Sequence, residues 1–322
     1  MVNNAHTARY VPTRQVTIAD RVEFEGVGVH NGTPVSLSIN PCDSNTGIVF
    51  VRTDCGQMGI DIPARFQKVC ATELCTVLGG DSGISISTVE HLMSALRGTG
   101  IDNAIVEIDG PEVPVLDGSA EPFVDAIQQV GIRYQDAARR YIRVLRPIRV
   151  EDGDRMGELS PHEGFELDIT IDFKSEAIGR QQLIAEMTPD YFVTKLSRAR
   201  TFGFIEDVEK LWSNGYGLGA SLENTVVLSD GKIINQEGLR YADEFVRHKA
   251  LDALGDLALA GYPILGRYRS VCGGHRLNHR VLQALFDAPD AWTYVDMPAR
   301  REKAAGTIAA GVAVPAFGPD VS

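Results

Sequence analysis

The chain is 322 residues long, enough for two ordinary domains, with 44% hydrophobic and 23% charged residues and a formal net charge of −12. That charge argues against gripping nucleic acid through phosphate neutralisation; no apolar stretch approaches the roughly 20 residues of a membrane helix, and residues 1–14 lack the apolar block of a signal peptide. The five cysteines (Cys42, Cys55, Cys70, Cys75, Cys272) are odd in number and form no C-x-x-C pair, which argues against a disulfide framework or thiolate zinc site and fits a reducing, cytoplasmic location.

In the first half, Val22-Glu23-Phe24-Glu25 alternates, and Asn31-Gly32 precedes a second alternating run at 35–39; this predicts a hairpin closed by a primed turn at Asn31-Gly32. Gly26-Val27-Gly28 imitates part of a dinucleotide fingerprint, but a strand follows where that motif needs a helix. Residues 41–80 carry cysteines, glycines and short apolar runs without helical period and read as an irregular or small-sheet insertion. A helix comes next, with Ser87 as N-cap, Glu90 three residues on, and an apolar stripe of Val89, Leu92, Met93 and Leu96 before Gly98. Ala104–Ile108 reads as a strand, and Ser119 opens a second helix carrying Phe123, Ile127 and Val130 up to Gly131. The second half again puts strands before helices. Residues 141–144 and the alternating 165–171 read as strands, 244–260 as the best helix, stopped by Gly261 and Pro263, and 280–286 as the last helix. Two such halves predict an α+β pseudo-duplication without a residue-level repeat, and the residues from 301 onward read as a tail.

Within the predicted helix 244–260, His248, Asp252 and Asp256 fall at i, i+4 and i+8 and share one stripe, while Phe245, Leu251, Leu254 and Leu257 supply the apolar side. A histidine and a carboxylate one turn apart suit zinc; a solvent-exposed helix pair is the competing reading. Glu90-His91 offers a further imidazole. A catalytic zinc takes three protein ligands and keeps one position open, so His91 can complete His248 and Asp252 with Glu90 alongside. The rival is a capping box, Ser87-x-x-Glu90, which returns the carboxylate to the backbone of Ser87; spacing leaves both open. His275 follows Gly273-Gly274 and is expected on a flexible loop ahead of the last helix. The run S-R-A-R-T-F-G-F at 197–204 sets Thr201 between two arginines and Phe202 and Phe204, a patch suited to a phosphorylated, ring-bearing ligand or, equally, to core packing.

Taken together, G-V-G-V-H-N-G at 26–32, S-T-V-E-H-L at 87–92, P-V-L-D-G-S-A at 114–120, S-R-A-R-T-F-G-F at 197–204, V-R-H-K-A-L-D-A-L-G-D at 246–256 and G-H-R-L-N at 274–278 closely resemble the zinc-dependent UDP-3-O-acyl-N-acetylglucosamine deacetylase family. The resemblance implies two similar α+β domains, each a sheet layered with two helices, with the active site between them. These are expected at 14–139, with an insertion near 41–75, and at 140–300, with an insertion near 207–234, followed by the tail 301–322. The second insertion is expected to form part of an acyl-chain passage lined by Leu211, Trp212, Leu218 and Val226.

By the same resemblance, His91, His248 and Asp252 are the zinc ligands, with ferrous iron the alternative metal in the cell. Glu90 is the general base and His275 the general acid on the opposite side of the reacting amide. Thr201 is the oxyanion partner, Asp256 supports the catalytic histidine, and Lys249, Phe202 and Phe204 bind substrate. The implied reaction releases acetate from a UDP-linked acylated amino sugar, the committed step of lipid A biosynthesis, carried out by a cytoplasmic monomer. A reading from another class stands beside it: a non-catalytic nucleotide-sugar or lipid-binding protein whose structural zinc is closed by His275 or Asp256 as fourth ligand.

Overall fold

The computed structural model describes residues 12–56, 59–79 and 83–297, so the expected tail at 301–322 lies outside the described residues. The first part of the chain runs β1 (Arg14–Ile18), β2 (Val22–Val27), β3 (Pro34–Asn40), β4 (Ile48–Arg52) and β5 (Ile60–Pro63). A small sheet follows, β6 (Val69–Ala71), β7 (Val77–Gly79) and β8 (Ser85–Ile86), then α1 (Glu90–Thr99), β9 (Ala104–Ile108), α2 (Glu121–Val130) and β10 (Ile132–Ala138). The second part runs β11 (Arg140–Val144), β12 (Ile148–Asp152), β13 (Arg155–Ser160), β14 (Phe165–Asp172), β15 (Arg180–Glu186) and the short α3 (Pro189–Tyr191). It continues with β16 (Phe202–Phe204), α4 (Val208–Ser213), β17 (Val226–Ser229), β18 (Lys232–Ile233), α5 (Glu244–Ala258), β19 (Ile264–Val271), α6 (His275–Phe286) and β20 (Trp292–Asp296).

The two parts share one topology. The first sheet has the order β2-β3-β9-β4-β5, antiparallel except for the β9/β4 pair; within the seven-stranded second sheet β12-β13-β19-β14-β15 repeats that order, with β19/β14 parallel, and β11 adds a second strand parallel to β19. Each half also has an antiparallel pair made by its first and last strands, β1 with β10 as a separate two-stranded sheet and β11 with β20 joined to the main sheet through β19. In both, the parallel pair is reached by a crossover through a helix, α1 or α5, as parallel strands require. The α+β class with two similar sheet-and-helix units is therefore as expected.

The helices meet face to face. α1 packs along α5, and α5 and α6 cover the second sheet. Burial follows from that position: in α1 every residue from Glu90 to Leu96 is buried, and in α5 the buried set includes His248, Asp252 and Asp256 together with Leu251 and Leu254. A helix enclosed on all sides has no solvated stripe on which to put its polar groups.

Four local expectations change. Two strands of the main sheet, β4 and β5, lie inside the expected insertion at 41–75, and the small sheet falls later, at β6–β8. The run Ile48-Val49-Phe50-Val51 belongs to a central strand with apolar side chains on both faces, Ile48 and Phe50 buried and Val49 and Val51 half-buried, so no polar alternation announces it. The β2–β3 hairpin is real but closes through a loop at 28–33 in which Gly32, and not Asn31, has positive φ, so the turn is not a two-residue primed one. His275 begins α6 instead of preceding it on a loop, since Leu277, Val281, Leu282 and Leu285 form its buried stripe. Lastly, Val226 is fully buried in β17 and cannot line a surface passage, whereas Trp212 and Leu218 are exposed.

Candidate active site

The site forms where α1 crosses α5. The crossing is close because Gly255 faces the backbone of Glu90: a Cβ built at Gly255 would lie 2.0 Å from the Glu90 carbonyl oxygen and 3.0 Å from its Cα. With no side chain between the helices, the first turn of α1 delivers Glu90 and His91 to the stripe His248-Asp252-Asp256, and all five are buried.

Asp252 Oδ1 lies 3.3 Å from His248 Nε2 and 3.6 Å from His91 Nε2, and this buried oxygen has no hydrogen-bond partner among the described residues. His248 Nδ1 donates to the Ala199 carbonyl at 3.0 Å, which fixes the tautomer and turns the Nε2 lone pair toward Asp252. Burial pushes the His248 imidazolium down to about 3, so the ring is neutral at physiological pH. Burial also opposes ionisation of Asp252, yet the positive charge beside it, including the Lys249 ammonium whose Nζ sits 2.6 Å from Oδ2, holds its carboxyl well below the usual range. One neutral imidazole, a second beside it and an ionised carboxylate offer ligand atoms within 4.8 Å of one another. An orphaned carboxylate oxygen facing two ring nitrogens is the arrangement that a divalent cation of intermediate softness satisfies.

Beside this group stands a proton-transfer pair. His275 Nδ1 bonds Asp256 Oδ2 at 2.8 Å, and Asp256 also accepts from Thr76 Oγ1 at 2.5 Å and from Asn278 Nδ2 at 2.7 Å. Asn278 is itself held by the Tyr268 hydroxyl at 2.6 Å. Burial disfavours a charged His275, but the Asp256 and Glu90 carboxylates outweigh it and raise the imidazolium to about 9. Glu90 Oε2 accepts from the Thr76 N–H at 3.0 Å, leaving Oε1 3.7 Å from His275 Nε2. Burial pushes the Glu90 carboxyl above the ordinary carboxylate range, against the pull of His275 and His91. Glu90 and His275 are thus neighbours, not groups facing each other across a substrate.

A family model described as "LpxC: UDP-3-O-acyl N-acetylglycosamine deacetylase" matches residues 15–287. Curated proteins named UDP-3-O-acyl-N-acetylglucosamine deacetylase are similar along nearly their whole length. The one from Shewanella violacea is 50% identical over 290 residues, covering 89% of this chain and 94% of the relative. That from Histophilus somni is 46% identical over 291 residues, covering 90% and 95%. The chain belongs to the UDP-3-O-acyl-N-acetylglucosamine deacetylase family. Membership makes this deacetylase-family chain a hydrolase acting on an amide.

The remaining predicted residues of the deacetylase surround this centre. Thr201 is half-buried at the start of β16, its N–H bonded to the Gly118 carbonyl and its own carbonyl to the N–H of Val226. Phe202 packs edge-on against Phe245 at 4.9 Å and against His248 at 6.2 Å, and the Lys249 ammonium lies 5.9 Å from its ring centre. Phe204 meets Phe173 at 6.1 Å, one residue pair further from the histidines. The capping box does not form: the Ser87 N–H goes to the Pro111 carbonyl, and α1 begins without a side-chain cap.

Sequence reading missed several supports. Thr76 is bonded to both Glu90 and Asp256 and sits among cysteines with no period to single it out. Buried Arg200 fixes the turn that carries Ala199 by pairing with fully buried Glu244 at 2.9 Å. Glu112 accepts from the N–H groups of His30 and Asn31 and from the Thr88 hydroxyl, which accounts for the rigidity of the 26–32 motif. Asn278, three residues after His275 on one helix face, was the support most open to discovery by spacing.

Proposed function

We propose that this chain deacetylates UDP-3-O-(3-hydroxyacyl)-N-acetylglucosamine with a bound zinc ion, releasing acetate in the committed step of lipid A biosynthesis, in the cytoplasm. The observation that carries this reading is the orphaned Asp252 Oδ1 between His91 and His248, next to the Glu90 and His275–Asp256 pair. His91, His248 and Asp252 would hold the ion. When bound, zinc supplies Lewis acidity, polarising an amide carbonyl and bringing the ionisation of water from about 15.7 to near 7.

The chain's own residues supply the rest. Glu90, raised by burial toward working pH, takes the proton of the attacking water. The Thr201 hydroxyl stabilises the oxyanion as the carbonyl becomes tetrahedral. His275, kept protonated by Asp256, gives its proton to the departing amine nitrogen. Lys249, Phe202 and Phe204 take the sugar and its acyl substituent. The rival reading, a closed structural zinc, gains no support from its candidate fourth ligands: His275 and Asp256 are bonded to each other, and Asp256 also to Thr76 and Asn278. We divide the chain into domains at 139/140, between the two runs of matching elements.

Purified protein dialysed against a chelator is expected to lose acetate release from the UDP-linked acylated amino sugar and to regain it on addition of Zn²⁺. Acetate release that survives complete metal removal refutes the reading. A second test concerns pH. His275 works as an acid only while protonated, so activity falls as pH rises through its pKa. Asp256→Asn leaves burial less opposed and lowers that pKa; the alkaline limb of kcat/KM should move to lower pH by about 1–3 units. An unmoved limb would show that His275 does not owe its proton to Asp256.

A further inference from the structure

A cavity of about 600 Å³ opens behind the active site, where the end of α1 meets α5 and the second sheet. It uses the face of α5 turned away from Asp252: Leu254 and Ala258 stand about 200° and 240° around the helix from it. Its lining is mostly apolar, including Phe165, Phe192, Leu254, Leu257 and Ile264. Two arginines interrupt that lining, Arg97 from α1 and Arg139.

The electrostatics of this wall are unbalanced. Arg139 Nε binds Asp102 Oδ1 at 2.9 Å, and its Nη2 donates to the Gly100 carbonyl. The other oxygen of Asp102 accepts from the Val16 N–H. Arg97 Nη1 is left 3.8 Å from the already engaged Oδ1, and both its Nη1 and Nε are buried without a hydrogen-bond partner among the described residues. Two guanidiniums, that of buried Arg139 and that of half-buried Arg97, thus share one carboxylate. Burial pushes Arg97 down to about 10, which still leaves it charged at neutral pH. The acidic groups at the same cavity do not correct this: Glu186 pairs with His162 at 2.9 Å, and Asp190 is exposed.

A cation that shares its one carboxylate with a second arginine is costly to keep, and a guanidinium is matched in shape by a carboxylate. A cavity within the about 300–1,000 Å³ of small-molecule sites, mostly apolar and carrying two arginines in its wall, suits a ligand that combines an apolar chain with an anionic group. We propose that this cavity is a second binding site, separate from the active site, for an unbranched amphiphile with a carboxylate head, the head on Arg97 and the tail along Phe165, Leu257 and Ile264.

The test uses the full-length protein and two probes, dodecanoate and the uncharged dodecanol, followed by calorimetry. Wild type should bind dodecanoate at least tenfold more tightly than dodecanol, and Arg97→Met should remove that preference. Because Asp102 keeps Arg139 and the Val16 N–H as partners when Arg97 is replaced, the variant should melt close to wild type, so loss of binding will not reflect loss of fold. Leu257→Trp, which fills the cavity and leaves Arg97 in place, should also block dodecanoate. Binding insensitive to both substitutions lies elsewhere, in the acyl passage for example, and overturns the proposal, as does a wild type that fails to prefer the carboxylate.

Discussion

Replacing Glu90 with Ala or Gln is expected to lower turnover by about 10²–10⁴-fold, the usual contribution of a positioned general base, while the metal content of the purified protein stays at the wild-type level. The two readouts belong together. Glu90 is adjacent to His91 but points its Oε1 toward His275 and its Oε2 toward the Thr76 N–H, so it is free of the group formed with His248 and Asp252. Glu90→Gln is the cleaner variant, because the amide oxygen can still accept from Thr76. Its melting temperature at neutral pH should not fall. A carboxyl raised by burial contributes stability that is lost as pH rises through its folded pKa, and a neutral amide escapes that loss. Turnover within tenfold of wild type would mean that another group takes the proton; loss of metal along with turnover would make Glu90 part of the ion's cage.

The second large effect is expected at a residue with no functional group. Alanine is ordinarily the better helix former by roughly 1 kcal/mol, so a glycine in the middle of α5 needs a reason. Here the reason is the Glu90 carbonyl, which a Cβ would approach to 2.0 Å. The obstacle is backbone on both sides and cannot rotate away. Gly255→Ala must push α1 from α5, at about 1–3 kcal/mol for overpacking. It also moves Glu90 and His91 as a unit relative to His248, Asp252 and Asp256. A displacement near 1 Å costs about 10²-fold in rate, so kcat should fall steeply together with the melting temperature. If both stay at wild-type values, the helices do not set the geometry of the site.

Much of this was legible along the chain, and the failures share a cause. The stripe His248-Asp252-Asp256 declares itself because helical spacing is local, as do α1, α2 and α5. What spacing could not decide was whether the stripe faces water. Burial of all three residues is a consequence of α1 lying on α5, a contact between segments more than 150 residues apart. Thr76 illustrates the same limit, since its hydroxyl meets Asp256 across 180 residues. The start of α6 was placed late because Arg276, Asn278, His279 and Arg280 make its first turns polar; Leu277 and Val281 alone carry the stripe there. β4 and β5 were hidden by their neighbours' composition. The capping box failed for a more instructive reason: Glu90 had a local partner available in sequence, the backbone of Ser87, and its actual partners, Thr76 and His275, are not local.

The repeated topology has one more consequence. α1 and α5 occupy the same step in the two runs of elements, yet one contributes Glu90 and His91 from its first turn and the other His248, Asp252 and Asp256 from its middle turns. The chemistry is therefore not present twice. Neither half alone possesses more than a fraction of it, a lone imidazole with its glutamate in one and two imidazoles, His248 and His275, with two aspartates in the other. What duplication provided was a seam, and the reacting groups were assembled along it. Any change that loosens the seam reaches the reaction without altering a single reacting group.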